Sequence, residues 1–332
     1  YTLWHTLSLH DALPIWIPDD HIEVAIRVVK EFAGWRADRF VAHKIPRLSR
    51  TRVQRILRGL AFDGDGRPVK AARHLREGET IRIFKPPPDE PDAPREFGVL
   101  YEDEWLLAID KPPGLPVHPT ARYWKNTLTG LLEERYGPNA PALIHRIDSE
   151  TSGALLLART LEVERRAKRL FAERAVRKTY LAVVAGVPRP ARGRYEWTIG
   201  PDARSELSVK MACGDPEAQP ALTEYRVLEA EADRALVELR PRTGRQHQLR
   251  VHLAHAGHPI VGDKMYGPDP DVFFAYAAEG NTPEVVARAG HARHALHAAA
   301  IELAHPITRS ALRIESPLPA DIRALIEPPD AR

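Results

Sequence analysis

Two short stretches concentrate the side chains that could do chemistry. His145-Arg146-Ile147-Asp148-Ser149-Glu150-Thr151-Ser152-Gly153 places ionisable groups and hydroxyls directly before the apolar run Ala154–Ala158. Groups at the mouth of a buried strand are held by the sheet and still reach a cleft. The plainer alternative is a capped turn in which Asp148 and Ser149 only satisfy backbone donors. The second stretch, Arg242-Thr243-Gly244-Arg245-Gln246-His247-Gln248-Leu249-Arg250-Val251-His252, is dense in planar donors. Arginine forks suit phosphates and carboxylates. A buried carboxylate such as Asp148 needs a partner of this kind to stay ionised.

Other chemistries find less support. His247, His252, His255 and His258 form one spaced run, and His291, His294 and His297 another. Neither carries the acidic residue of an H-E-x-x-H zinc site, and Gly257 and Pro259 interrupt the first, so no metal site is expected. Phosphate-binding glycine loops and the G-x-S-x-G elbow are missing. Cys213, the single cysteine, sits in a polar, loop-like ACGDP stretch, which argues against a catalytic thiol and against a disulfide framework.

The elements that would carry these residues follow from patterning. Alternation predicts a strand over His21–Val28, and apolar spacing predicts helices over Ala37–Ala42 and over Ser49–Gly59, the latter capped by Ser49. A DGDG turn at Asp63–Gly66 precedes a strand at Thr80–Phe84. Pro86–Pro94 reads as a stiff extended linker. Beyond it, strands are expected at Leu106–Asp110, Ala154–Ala158, Tyr180–Ala185, Leu236–Leu239 and Ala300–Leu303. Helices are expected at Thr127–Tyr136, Leu161–Arg174 and Gln246–His255. Strands that do not alternate regularly with helices favour a mixed or antiparallel sheet.

The chain has 332 residues, ample for two cores, and no apolar run long enough to span a membrane. Its net charge of +3 is uneven: Arg36 to Lys85 holds 14 Lys/Arg against 5 Asp/Glu. A basic block beside a mildly acidic body suits a polyanion, or else is a solvated face. Tyr1–Trp16 lacks the features of a signal peptide and reads as a tail outside the fold, a translated non-native leader being one origin.

These residues resemble the RluA-type pseudouridine synthases. H-R-I-D-S-E-T-S-G is similar to the family's H-R-L-D-x-x-T-S-G signature, and Asp110–Pro119 to its K-P-x-G-x-x-V-H-P segment. Arg177–Ala182 resembles its K-x-Y-x-A strand, Thr243–His252 its T-G-R-x-H-Q-L-R-V-H block and Gly257–Gly267 its G-H-P-I-x-G-D-x-x-Y-G block. His294–Pro306 resembles the closing element. Six matches run in family order from Leu100 to about Ile326. Ile147 replaces the usual Leu, and Ala121-Arg122-Tyr123 stands where many members carry a glycine-containing loop. The basic block resembles a small RNA-binding domain of a ribosomal small-subunit protein, at Arg36–Val41, Leu48–Leu57 and Gly66–Lys70.

The resemblance implies an α+β fold: a mixed, largely antiparallel sheet with flanking helices and a central cleft, preceded by a small α/β RNA-binding domain. The expected organisation is a tail over 1–16, the basic domain over 17–85, a linker over 86–97 and the catalytic domain over 98–328. It implies isomerisation of uridine to pseudouridine in structured RNA without cofactor or metal. Large-subunit ribosomal RNA is the first expectation, with transfer RNA or an inactive RNA-binding relative as alternatives. A monomeric cytoplasmic protein, away from membranes, goes with this. By the same resemblance Asp148 is the essential carboxylate, through attack on ribose, attack on base or removal of a ribose proton. Arg250 pairs with it and Tyr180 stacks on the uracil. Arg146, His145, Thr151, Arg245, His247 and Gln248 contact substrate, Arg146 by displacing the flipped nucleotide. In the basic domain Arg36, Arg39, Arg50, Arg52, Arg55, Arg58 and Lys70 contact RNA phosphates.

Overall fold

A computed structural model describes residues 21–45, 50–85, 90–120 and 122–327, with the side chains at 50 and 85 excepted. The chain divides into two compact units, 1–90 and 91–332. The expected tail, the Ser49 cap and the first half of the proline-rich linker lie outside the described residues.

In the first unit, β1 (Ile22–Arg27), α1 (Ala37–Lys44), α2 (Arg50–Leu57), β2 (Ala61–Phe62) and β3 (Thr80–Lys85) build a three-stranded sheet in the order β1-β3-β2. Its strands are antiparallel, and Val24 pairs with Ile83. Phe32, Phe40, Val41, Val53, Phe62 and Ile81 fill the core.

The second unit runs through β4 (Gly98–Glu102), β5 (Leu106–Lys111), α3 (Leu128–Tyr136), β6 (Ala142–Leu143), β7 (Ser152–Ala158) and α4 (Leu161–Ala172). Next come β8 (Arg177–Ala185), β9 (Arg192–Pro201), β10 (Met211–Cys213), β11 (Gln219–Ala230) and β12 (Arg234–Pro241). The remainder is α5 (Gln248–His255), α6 (Val272–Glu279), α7 (Pro283–Ala289), β13 (Leu296–Ala304), β14 (Ala311–Glu315) and α8 (Ala320–Arg323). Among the described residues its strands form one eleven-stranded sheet, with a main path β10-β9-β11-β12-β8-β13-β7-β5-β4. Only β13 and β7 pair in parallel; the other pairs are antiparallel. The fold is α+β.

β7 reads as a continuous apolar run because both faces of it are covered. Ala154, Leu156 and Ala158 pack with Val163 and Ala167 of α4, and Leu155 and Leu157 with Leu128, Leu131 and Leu132 of α3. Thr127 and Thr160 cap these helices through their side-chain oxygens, each accepting from an amide three residues on.

Two expectations need correction. Residues 91–97 are not a free spacer: Ala93 and Phe97 pack on the α3 core, and the Asn126 amide donates to the Pro91 carbonyl at 3.0 Å. A proline-rich strap presents apolar rings, and here they are used for packing. Cys213 is in β10, paired with Ile199 of β9, and not in a loop. The long hairpin of β9 and β11 escapes sequence patterning because β9 is largely solvent-facing and β11 buries a polar residue, Thr223.

Candidate active site

The Asp148 loop leads straight into β7 and is fastened at several points. Lys111, fully buried at the end of β5, donates its ammonium to the carbonyls of Pro112 (2.7 Å), Leu115 (3.0 Å) and Ser149 (2.8 Å). Burial pulls the Lys111 pKa down to about 7, while nearby Asp148 works the other way. Glu150 accepts from Lys264 Nζ at 2.9 Å and from the His294 amide at 3.1 Å. Thr151 Oγ1 shares a 2.7 Å hydrogen bond with His294 Nε2. Gly153 has φ +108°, and a Cβ there would lie 2.3 Å from the Ala298 carbonyl oxygen. Only glycine allows β7 and β13 to approach this closely where the loop enters the sheet.

Arg250 projects from the first turns of α5 and joins two carboxylates. Its Nη1 donates to Asp148 Oδ2 at 2.9 Å, while Nε and Nη2 fork onto Asp263 at 2.7 and 2.9 Å. Asp263 is itself pinned, since its Oδ1 also accepts the amides of Met265 and Tyr266, both at 3.0 Å. The Tyr266 ring lies 5.0 Å from the guanidinium carbon. The Asp148 side chain keeps 28% exposure, whereas that of Asp263 has none. Among the described residues the Asp148 carboxylate is held at Oδ2, by Arg250.

Burial alone would favour the neutral acid at Asp148. Arg250, by its charge and its hydrogen bond, outweighs it and holds the pKa below the ordinary carboxylate value. His247 and His294 are both pushed down to about 4, chiefly by burial and then by Arg250, so they are neutral near pH 7. The Tyr266 hydroxyl accepts from the Met211 amide at 2.9 Å and meets His247 Nδ1 at 2.8 Å.

Tyr180 reaches the same place through strand register. It pairs with Ala298 of β13, and Ala298 pairs with Gly153 of β7, a row across three strands that ends beside the Asp148 loop. Burial and then the Asp148 charge raise its phenol pKa, so the ring stays neutral.

Comparison with known proteins decides what this site belongs to. The family described as RNA pseudouridylate synthase matches residues 105–255. An uncharacterized RNA pseudouridine synthase of Chloroflexus aurantiacus is 36% identical over 303 residues, covering 88% of this chain and 89% of that one. The chain belongs to the RluA-type RNA pseudouridine synthases. A protein named ribosomal large subunit pseudouridine synthase D from Xanthomonas campestris is 36% identical over 308 residues, 89% of this chain and 88% of its own. A solved structure, human RNA pseudouridylate synthase domain containing 4, superposes with a TM-score of 0.53 at 31% identity, covering 68% of this chain and 90% of its own.

The synthase converts uridine in RNA to pseudouridine: the N1–C1′ bond breaks, a C5–C1′ bond forms, and the C5 proton is released. The residues expected to contact substrate divide into two groups. Arg146 is exposed beside His118, His247 faces the Asp148–Arg250 pair, and Arg245 is half-exposed with Nε on the Pro220 carbonyl at 3.1 Å. Thr151, His145 and Gln248 are framework instead. Thr151 is buried against His294, and His145 takes the Leu156 amide on Nε2 and stacks on Phe171. Gln248 spends all four hydrogen-bond positions on Thr243, Arg245, Leu222 and Thr223. A dense polar motif carries its own scaffolding, and spacing does not separate the two roles.

Asp263, Tyr266 and Lys111 belong to this site and were not singled out from the sequence, and His294, read there only within a histidine run, joins it through Thr151 and Glu150. Asp263 sits inside the G-D-x-x-Y-G block, so that block held the signal. Neither histidine run converges on a metal: His252 is bonded to Thr223, His258 to the Ala185 carbonyl, and His297 to Ser152 and Ser316. Among the described residues no group of three acidic, histidine or cysteine side chains is arranged to hold a metal.

In the basic unit Arg36 is forked onto Asp38, and the Arg39 guanidinium lies 4.2 Å from the Trp35 ring centroid. Arg52, Arg55, Arg58 and Lys70 are exposed. The side chain of Arg50 lies outside those described.

Proposed function

We propose that this synthase modifies uridine in large-subunit ribosomal RNA, with Asp148 as its catalytic carboxylate. The observation that carries the reading is the Asp148–Arg250 pair at 2.9 Å, set at the mouth of β7 in reach of Tyr180. The three uses open to Asp148, attack on ribose, attack on base and removal of a ribose proton, all start from the ionised group that Arg250 maintains. Oδ1, the oxygen that Arg250 does not hold, is the atom that acts. Tyr180 stacks on the uracil and limits how far the freed base turns, and Arg146 takes the place left by the extruded nucleotide. Asp263 is a positioning residue that acts through Arg250.

The ribosomal target is supported by relatives named for it, and by the basic first unit, which suits a structured polyanion. Arg39, Arg50, Arg52, Arg55, Arg58 and Lys70 contact phosphates there. Pseudouridine mapping of ribosomal and transfer RNA from cells with and without this gene is the test. Loss of sites in large-subunit RNA, restored by the wild-type gene and not by Asp148→Asn, is the expected result. Loss confined to transfer RNA would overturn the target, and restoration by Asp148→Asn would overturn the carboxylate.

A further inference from the structure

Two lysines beside the catalytic loop have their charge matched. Lys111 gives its ammonium to three carbonyls, and Lys264 to Glu150 at 2.9 Å and the Ala292 carbonyl at 2.7 Å. Lys178 at the start of β8 differs. It is half-buried, yet among the described residues no carboxylate or carbonyl is bonded to it. Burial without a partner pulls its pKa below the ordinary lysine value.

The neighbours of this ammonium come from both polar motifs. Lys178 Nζ lies 6.0 Å from the Phe171 ring centroid, the outer limit of a cation–π contact, and Phe171 stacks on His145 at 4.9 Å. On the other side is Gly244, which is exposed. A Cβ at Gly244 would lie 3.7 Å from Nζ and, its chain neighbours aside, would meet no other heavy atom within 4 Å. Lys178 therefore stands between the His145 end of the Asp148 loop and the 243–245 turn, and a glycine leaves open space beside its charge. An unpaired cation taken partly out of water costs free energy, and an anion entering that space offsets the cost.

Strand geometry says which anion. Side chains alternate between the faces of β8. Thr179 and Leu181 line a pocket on one face, so Lys178 and Tyr180 share the other. Two residues along a strand span ~6.6 Å, which puts the ammonium close to the ring that serves the Asp148 site. In RNA the anion nearest to any base is a phosphodiester of its own nucleotide or the next. A lysine suits it as a compact point charge.

We propose that Lys178 binds a backbone phosphate flanking the target uridine, in the open space that Gly244 leaves between the Asp148 loop and the 243–245 turn. The proposal rests on the RNA-modifying reading of the Asp148 site. The contact holds the extruded nucleotide by its charge and is indifferent to base sequence.

Binding to Asp148→Asn protein, with and without Lys178→Met, reads the site without turnover. On a short RNA carrying the mapped uridine, single neutral methylphosphonate linkages are placed at the flanking positions. One linkage should weaken binding about tenfold or more, the scale of a hydrogen bond to a charged group, and should cost the Lys178→Met protein nothing. On large-subunit ribosomal RNA, Lys178→Met should lower the slope of log K against log salt by about 0.7–0.9, and Lys178→Arg should restore it. Met keeps the length without the charge, so the thermal midpoint of the free protein should rise; a lysine that only supports the fold would lower it when replaced. Neutral linkages that cost both proteins equally, or an unchanged salt slope, would overturn the phosphate site. Tritium release from [5-³H]uridine RNA by the wild-type protein reads the activity separately. No release, with the salt-slope effect intact on ribosomal RNA, would sink the activity reading and leave the phosphate site standing.

Discussion

Arg250 holds Asp148 by one hydrogen bond at 2.9 Å and Asp263 by two, at 2.7 and 2.9 Å. The asymmetry makes Asp263 the anchor of Arg250 and leaves Asp148 the less tightly held carboxylate. A guanidinium shared between two carboxylates leaves one net negative charge on the three groups. Asp263→Asn keeps the shape and removes the anchoring charge. Breaking one arm of a buried ion network costs ~3 kcal/mol, so the thermal midpoint should drop. Because Arg250 is then free to swing wholly onto Asp148, kcat should fall more than KM rises. Single-turnover tritium release measures the first and RNA titration the second; equal effects on both would mean that Asp263 only supports the fold.

Tyr180 stays neutral and lies beside Asp148. If its ring stacks on uracil, Tyr180→Phe should keep most of the activity and Tyr180→Leu should lose tenfold or more beyond it, since base–aromatic stacking is worth about 1–3 kcal/mol. Equal loss in the two variants would assign the work to the hydroxyl instead.

Gly153 tests how the loop is seated. With φ +108° and the Ala298 oxygen 2.3 Å from any added Cβ, Gly153→Ala must open the parallel contact between β7 and β13. A loss of ~3 kcal/mol or more is expected from strain at such a position. Denaturant titration measures it, and activity should fall with it because the Asp148 loop hangs from this strand.

Acid should destabilise the enzyme before it discharges Asp148. Burial holds His247, His252 and His294 down to about 4, well below the 6.5 of an exposed imidazole. The unfolded chain therefore binds protons between pH 6.5 and 4 that the folded chain refuses, and stability rises with pH across that window. The contribution is complete above pH 6.5 and is lost as pH falls through it. One pKa unit is ~1.4 kcal/mol, so the thermal midpoint should decline clearly from pH 7 to pH 5. His252→Asn should flatten the decline. Asp148, held below the ordinary carboxylate range, adds a loss of the same sign only at lower pH.

Arg52, Arg55 and Arg58 are exposed at helical spacing in the basic unit. Changing all three to Gln should weaken RNA binding and reduce the slope of log K against log salt by about 0.7–0.9 for each phosphate that is no longer neutralised. An unchanged slope would make them a solvated face.

The pairing of Asp148 with an arginine was legible in the sequence, since a carboxylate buried before an apolar strand needs such a partner, whereas Tyr180 was marked only by the family resemblance. Apolar runs such as Ala154–Ala158 and helical periods such as Leu161–Arg174 marked their elements, since local patterning reports local burial. The helices α6 and α7 and the strands β9 and β11 did not announce themselves, because their burial is slight, one-sided or broken by a buried Thr223. The division of labour within the motifs was also hidden. Thr151, His145 and Gln248 look like substrate contacts by type, yet their partners are His294, Phe171 and Thr223, far away in the chain. Asp263 likewise becomes the anchor of Arg250 only once the chain after α5 brings it back against that helix. Residue type follows from local chemistry, whereas which polar atom is spent on the scaffold and which is left for substrate depends on long-range contacts that only folding makes.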